Sequence, residues 1–306
     1  MNAPRPLLVG NPALASLAFD GPDAAQFLHN QLSTDIEGMA VGDVGWTSYN
    51  SPKGRMLATP LLWRREQAEF VAYVATDIAE PLRKRLAMFV LRAKVSVVVR
   101  ASRIVEGVVG PDAAAAVEGV LGRAPARGHG LVLDGTDVVA LPDGRYLLDS
   151  ERAVAIAGDD APASYWDWLG VRAGVPNIVL ATQDLFVAQT ANFDLVGGVN
   201  FKKGCYPGQE IVARMQYLGR LKERMLAFHT DGAHAAPGSR IVQDGGNVGT
   251  VVNAAPAPGG GSELLAVVSL AALQAGGLHL ADGRAITQIP LPYDIPAPST
   301  PNRVKL

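Results

Sequence analysis

The sequence predicts an α+β protein: two related antiparallel-sheet and helix subdomains followed by a small C-terminal β-barrel. Three observations lead there. Apolar residues make up 48% of the 306 positions and charged residues 18%, enough for cores in two or three domains. Strand-like runs come in groups with single helical patterns between them, and strict βαβ alternation is missing, which argues against a doubly wound nucleotide-binding fold. After about Leu221 the texture changes to short β-rich runs separated by Gly and Pro turns, as in a small barrel or sandwich.

In chain order, Leu14 to Phe19 reads as a strand. Gly21-Pro22-Asp23 is a turn, with Asp23 placed to cap a helix through Phe27, Leu28 and Leu32. Val44 to Tyr49 alternates as a strand does, and Asn50 to Gly54 is a turn. Arg55 to Arg64 and Glu69 to Ala75 form a hairpin pair; Asp77 starts a helix with apolar Leu82, Leu86, Phe89 and Val90; β-branched Val95 to Arg100 closes the group. A similar cycle follows. It runs through a strand at Ile104 to Val109, an alanine-rich helix from Asp112 to about Leu121, strands at Gly130 to Leu141 and Arg145 to Asp149, and a helix from Tyr165 ended by Gly174 and Pro176. The barrel strands are expected at 225–230, 240–243, 247–252, 264–268, 278–280 and 285–289, with a loose tail over 295–306.

The bulk numbers exclude several classes. A net charge of −2 and a pI of about 6.2 give no large electrostatic footprint for nucleic acid, so no stable nucleic-acid partner is expected. With a single cysteine, Cys205, an intramolecular disulfide is impossible, and so is a cluster or zinc site built on this chain's thiolates alone. The five histidines, His29, His129, His229, His234 and His279, show no metal-ligand spacing, and no metal is expected. No stretch approaches the roughly 20 apolar residues of a membrane span, and Met1 to Phe19 does not read as a signal peptide, so no membrane partner is expected. A cytoplasmic location follows, or the mitochondrial matrix for a eukaryotic source.

Chemistry concentrates in Asn200-Phe201-Lys202-Lys203-Gly204-Cys205-Tyr206-Pro207-Gly208-Gln209-Glu210-Ile211-Val212-Ala213-Arg214. Gly204, Pro207 and Gly208 favour a tight loop, and the residues from Gln209 favour a helix. The loop is therefore expected to deliver a thiol, a ring and two lysines at a helix start. Helix N-termini and nearby cations both favour thiolate, although a lone cysteine also serves as a small buried hydrophobe. Glu210 and Arg214, one helical turn apart, fit a surface ion pair worth about 0.3–0.5 kcal/mol. They equally fit a ligand: a carboxylate or amide can match a pterin's amino group and ring N–H, while cations suit a glutamate tail. Gln209, Glu210, Arg214 and either Arg220 or Lys222 are candidates. Lys53 and Arg55 flank a turn and suit either solvent or that tail.

This segment resembles the signature of the YgfZ family of folate-binding proteins. Other pieces agree in order: Gly21-Pro22-Asp23-Ala24 with Phe27-Leu28 and Gln31-Leu32-Ser33-Thr34-Asp35; Lys53-Gly54-Arg55-Met56; Ala173-Gly174-Val175-Pro176; and Pro290-Leu291-Pro292-Tyr293. The family is similar in fold to the aminomethyltransferase T-protein of glycine cleavage. The resemblance implies a subdomain from 1–43 with 101–220, a second from 44–100, a barrel over 221–294 and a tail over 295–306, arranged around a folate-sized opening. It implies tetrahydrofolate or a one-carbon derivative as cofactor. It also implies transient iron–sulfur client or assembly proteins as partners, including ones that modify tRNA. Cys205 becomes the functional thiol, with Lys203 beside it. Trp166, Tyr206, Gln209, Glu210, Arg214, Lys53 and Arg55 become folate contacts, Trp166 by stacking.

Two departures bear on activity. T-proteins carry an aspartate on the strand after the glycine turn, where this chain has Gly54-Arg55-Met56-Leu57-Ala58-Thr59, and a glutamate where this chain has Arg172. The resemblance thus favours an accessory factor in iron–sulfur cluster assembly or repair over the alternative, a folate-dependent aminomethyl or methyl transferase or demethylase.

Overall fold

The computed structural model describes residues 5–218, 221–232 and 235–296, the Leu218 side chain excepted. Arg220, His234 and most of the expected tail lie outside the described residues. The chain divides into two compact units, one of residues 1–31, 35–47 and 60–166, the other of 32–34, 48–59 and 167–306.

The first unit holds two sheets. One has five antiparallel strands in the order Val44–Trp46, Leu61–Glu66, Glu69–Ala75, Leu14–Asp20, Ser96–Val99. Helix Thr76–Ala87 turns Ile78, Ala79, Leu82 and Leu86 inward; of the expected apolar positions Leu82 and Leu86 are buried, while the helix ends before Phe89 and Val90 and Phe89 is exposed. The second sheet runs His129–Leu133, Thr136–Ala140, Tyr146–Ser150, Ile104–Val109, Leu7–Val9, Asp159–Ala161; all its pairs are antiparallel except the last. Helix Ala113–Leu121 buries Ala113 and Val117 among Val108, Val138, Ala140 and Leu148, and ends at left-handed Gly122. Fully buried Asp137 and Asp149 accept hydrogen bonds from Arg65, Arg100 and Arg103. Leaving such charges unpaired would cost about 3–5 kcal/mol.

The second unit contains a six-stranded antiparallel sheet, ordered His279–Leu280, Arg240–Gln243, Gly246–Pro256, Ser262–Ser269, Glu223–Thr230, Thr287–Ile289. Phe228, Ile241, Val251, Leu264, Ala266 and Val268 form its core. No pairing among the described residues joins the two edge strands. The unit also carries the small ladder Tyr49–Asn50 with Met56–Ala58 and the helices Ala163–Arg172 (from Asp167 onward) and Gln209–Leu218.

Four local expectations are corrected. Val44 to Tyr49 is not one strand: it breaks at fully buried Thr47 and Ser48, where the chain leaves the first unit. Arg55 to Arg64 breaks at Thr59-Pro60, because proline cannot donate to a ladder and the Thr59 hydroxyl accepts from the Ile178 N–H instead (2.9 Å). Gly130 to Leu141 is a hairpin turning at Asp134-Gly135, both at positive φ (48° and 75°), the Asp-Gly chemistry of a tight turn. Asp23 likewise spends its carboxylate on the Lys94 N–H (2.7 Å) rather than on a helix cap.

Candidate functional site: a thiol loop held by two glycine turns

Helix Gln209–Leu218 begins where the sequence placed it, and the loop before it is fixed by backbone contact with a second turn. Gly208 has φ +77°, and a Cβ there would lie 2.5 Å from the Ser51 carbonyl oxygen and 2.6 Å from the Gly54 Cα. Gly54 has φ +71°, and its Cβ would lie 2.7 Å from Ile211 Cβ. Only glycine allows both the angle and the approach. Two motifs about 150 residues apart, Lys53-Gly54-Arg55 and Pro207-Gly208-Gln209, are thus pressed together at their glycines.

A third motif locks the other side of the loop. The Lys203 ammonium donates to the Leu32 carbonyl at 2.7 Å and lies 4.9 Å from the Tyr206 ring centroid. Lys203 is only 9% exposed, so its charge is committed inside. The Ser33 hydroxyl donates to the Gly198 carbonyl (2.6 Å), and the Asn200 N–H donates to the Ser33 carbonyl (2.9 Å). Tyr206 is buried, and burial pushes its phenol up to about 12, so it stays protonated at physiological pH. The Gln209 amide reaches back to the Lys203 carbonyl (3.4 Å).

Between those two buried anchors Cys205 is exposed, a free thiol. Glu210 and Arg214 are exposed on the helix, and Lys53 and Arg55 on the facing turn. Arg55 donates from Nη1 to the Leu185 carbonyl, which fixes one end of its guanidinium. The structure therefore groups Lys203, Cys205, Tyr206, Gln209, Glu210 and Arg214 with Lys53 and Arg55. Trp166 lies in the first unit, 5% exposed, under the Arg145 guanidinium (4.3 Å) and against Gly107. Trp168 donates from Nε1 to Glu263 (2.9 Å), and Arg172 reaches the same carboxylate at 3.6 Å.

Some supporting residues carried no sequence signal. Buried Gln189 donates from Nε2 to the Val212 carbonyl inside the helix (2.6 Å), and buried Arg224 binds the Gln189 carbonyl (2.6 Å) and Asp194 (3.0 Å). The two remaining motifs also meet: the Tyr293 hydroxyl donates to the Gly174 carbonyl at 2.7 Å, and burial raises that phenol to about 12.

No family model matches the chain. It is 28% identical over 224 residues to the tRNA-modifying protein YgfZ of Enterobacter sp. (strain 638), covering 70% of this chain and 68% of that protein. It is 29% identical over 293 residues to the tRNA-modifying protein YgfZ of Edwardsiella ictaluri (strain 93-146), covering 89% and 88%. This chain is a relative of the YgfZ proteins. Its fold is that of the glycine cleavage system aminomethyltransferase T from Bartonella henselae, with a TM-score of 0.73 over 88% of this chain and 79% of that one at 16% identity. The α+β class with antiparallel sheets thus holds. Among the described residues no helix is long and apolar enough to cross a membrane.

Proposed function

We propose that this YgfZ relative is a tetrahydrofolate-binding accessory factor for assembly or repair of iron–sulfur clusters, tRNA-modifying enzymes among its clients. The observation that carries this is the meeting of the three motifs around one exposed thiol, with Lys203 spent on holding the loop. The side chains at hand fit a folate. Glu210 offers a carboxylate for paired pterin donors; Lys53, Arg55 and Arg214 offer charge to a glutamate tail. Bound there, the cofactor would supply one-carbon chemistry. The chain's own part is to hold and orient it and to present Cys205.

Strand Met56–Ala58 holds no carboxylate, and the Thr59 hydroxyl that follows is taken up by the Ile178 N–H, so no acid or base on that strand serves a one-carbon transfer. This favours an accessory role over a transferase. One thiolate cannot hold a cluster, so ligation would draw on a partner chain or a small thiol. The test is complementation of a strain lacking its YgfZ protein, read as activity of a cluster-dependent tRNA-modifying enzyme. The intact chain restores it and Cys205→Ser does not. Full restoration by Cys205→Ser would end the proposed role of the thiol. Release of methylenetetrahydrofolate from an amine donor would favour the transferase instead.

A further inference from the structure

From Pro81 to Val105 the chain contains no Asp or Glu, while Arg83, Lys84, Arg85, Arg92 and Lys94 crowd into twelve of those residues. In a chain of net charge −2 this is a local reversal of sign. At its centre is a turn that closes helix Thr76–Ala87, and its large apolar side chains point out: Met88 is 64% exposed, Phe89 44% and Leu91 88%.

The exposure is built in. Backbone hydrogen bonds run from the Phe89 N–H to the Leu86 carbonyl (2.9 Å), from Val90 to Ala87 (3.3 Å) and from Ala93 to Val90 (2.7 Å). The exit is pinned by the Lys94 N–H on Asp23 (2.7 Å) and the Asp23 N–H on the Lys94 carbonyl (3.3 Å). Leu91 sits at φ 45°, a conformation that branched side chains disfavour, and it gains no burial in return. Of the cations, Arg83 is paired with Glu80 (2.7 Å); Arg92 and Lys94 flank the tip as exposed residues.

We infer that this turn docks on an anionic phospholipid surface, with Met88, Phe89 and Leu91 entering the acyl boundary and the basic collar meeting the headgroups. Charge complementarity selects the occupant. The collar's five cations, Arg83, Lys84, Arg85, Arg92 and Lys94, outnumber the carboxylates set among them, Glu80 and Asp23, so it is attracted to an anionic leaflet, and an apolar tip needs no matching pocket in a fluid surface. RNA phosphates would also suit the cations, yet Phe89 is the tip's single ring, and the more exposed Met88 and Leu91 give bases nothing to stack on. The absence of a membrane span does not bear on this, because a tip of this kind spans nothing. The inference is independent of the folate proposal.

The test is flotation of the full chain with vesicles of phosphatidylglycerol in phosphatidylcholine, and with phosphatidylcholine alone, at low ionic strength. Co-flotation is expected with the anionic vesicles only, reduced by ~0.5 M salt. Met88→Ser/Leu91→Ser and, separately, Arg92→Glu/Lys94→Glu should each lower the bound fraction by about tenfold or more. All four side chains are exposed, so unchanged melting temperatures identify folded variants. Failure of the intact chain to float would overturn the inference, as would variants that float like it. A tip-dependent shift of tRNA-sized RNA, or tip-dependent dimerisation by light scattering, without flotation, would assign the turn to another partner.

Discussion

Residues 201–209 and 87–94 each set cations beside an aromatic side chain, yet the first turn buries Lys203 with its ring and the second leaves its cations and its ring exposed. In the first, Lys203 is 9% exposed and tied to Leu32, and Tyr206 is buried under it. In the second, Leu91 is 88% exposed and Arg92 and Lys94 face water. The difference lies in backbone approach. Gly54 and Gly208 let two chain segments touch at their Cα atoms, which draws the neighbouring side chains inward. Residues 87–94 contain no glycine; the tip closes on itself, and the tie to a distant segment comes only at the exit, between Lys94 and Asp23. A charge next to a ring says little until the partner that desolvates it is known.

The largest effect should come from breaking the glycine contact. Gly208→Ala adds a methyl group 2.5 Å from the Ser51 oxygen at φ +77°. It should cost about 2–4 kcal/mol in urea unfolding, whereas alanine scanning through residues 87–94 outside the core should cost under about 1 kcal/mol. Lys203→Met comes next. It keeps the apolar stem, removes the donor to Leu32 and the cation over Tyr206, and should lower stability by about 2 kcal/mol while raising hydrogen exchange across the loop.

High pH offers a third probe. The Tyr206 and Tyr293 phenols titrate at about 12 when folded, against an ordinary value near 10. Protons therefore leave the unfolded chain first. The stability they contribute is complete below pH ~10 and falls as pH rises through ~12, which unfolding midpoints followed beside phenolate absorbance will show. The smallest effect, opposite in sign, belongs to the other turn: Leu91→Asn should raise stability by up to about 1 kcal/mol, because asparagine tolerates positive φ and little buried surface is lost.

Much of the fold was legible in the sequence because hydrophobic period and turn residues act locally. Strand Ile104–Val109 and helix Gln209–Leu218 appear where periodicity and helix propensity put them. The breaks at Thr47-Ser48 and Thr59-Pro60 were less visible, since there the chain gives up its ladder to distant partners such as Ile178. Within the site, the glycines advertised a tight loop but not which turn they would touch. The inward fate of Lys203 had no local sign, because its acceptor is 171 residues away. Gln189 and Arg224 are invisible to motif reasoning for a related cause: Gln189 donates to a backbone carbonyl, which every residue carries, and Arg224 binds a carbonyl and a carboxylate 30 or more residues away.

The central claim, that the joined motifs serve a reduced folate, is tested most directly by calorimetric titration of the intact chain with tetrahydrofolate, repeated on Glu210→Ala and Arg214→Ala. The account predicts saturable binding to the intact chain and a loss of about tenfold or more in each variant, whose exposed side chains leave the fold unchanged. Absence of saturable binding, or equal affinity in all three proteins, would contradict it.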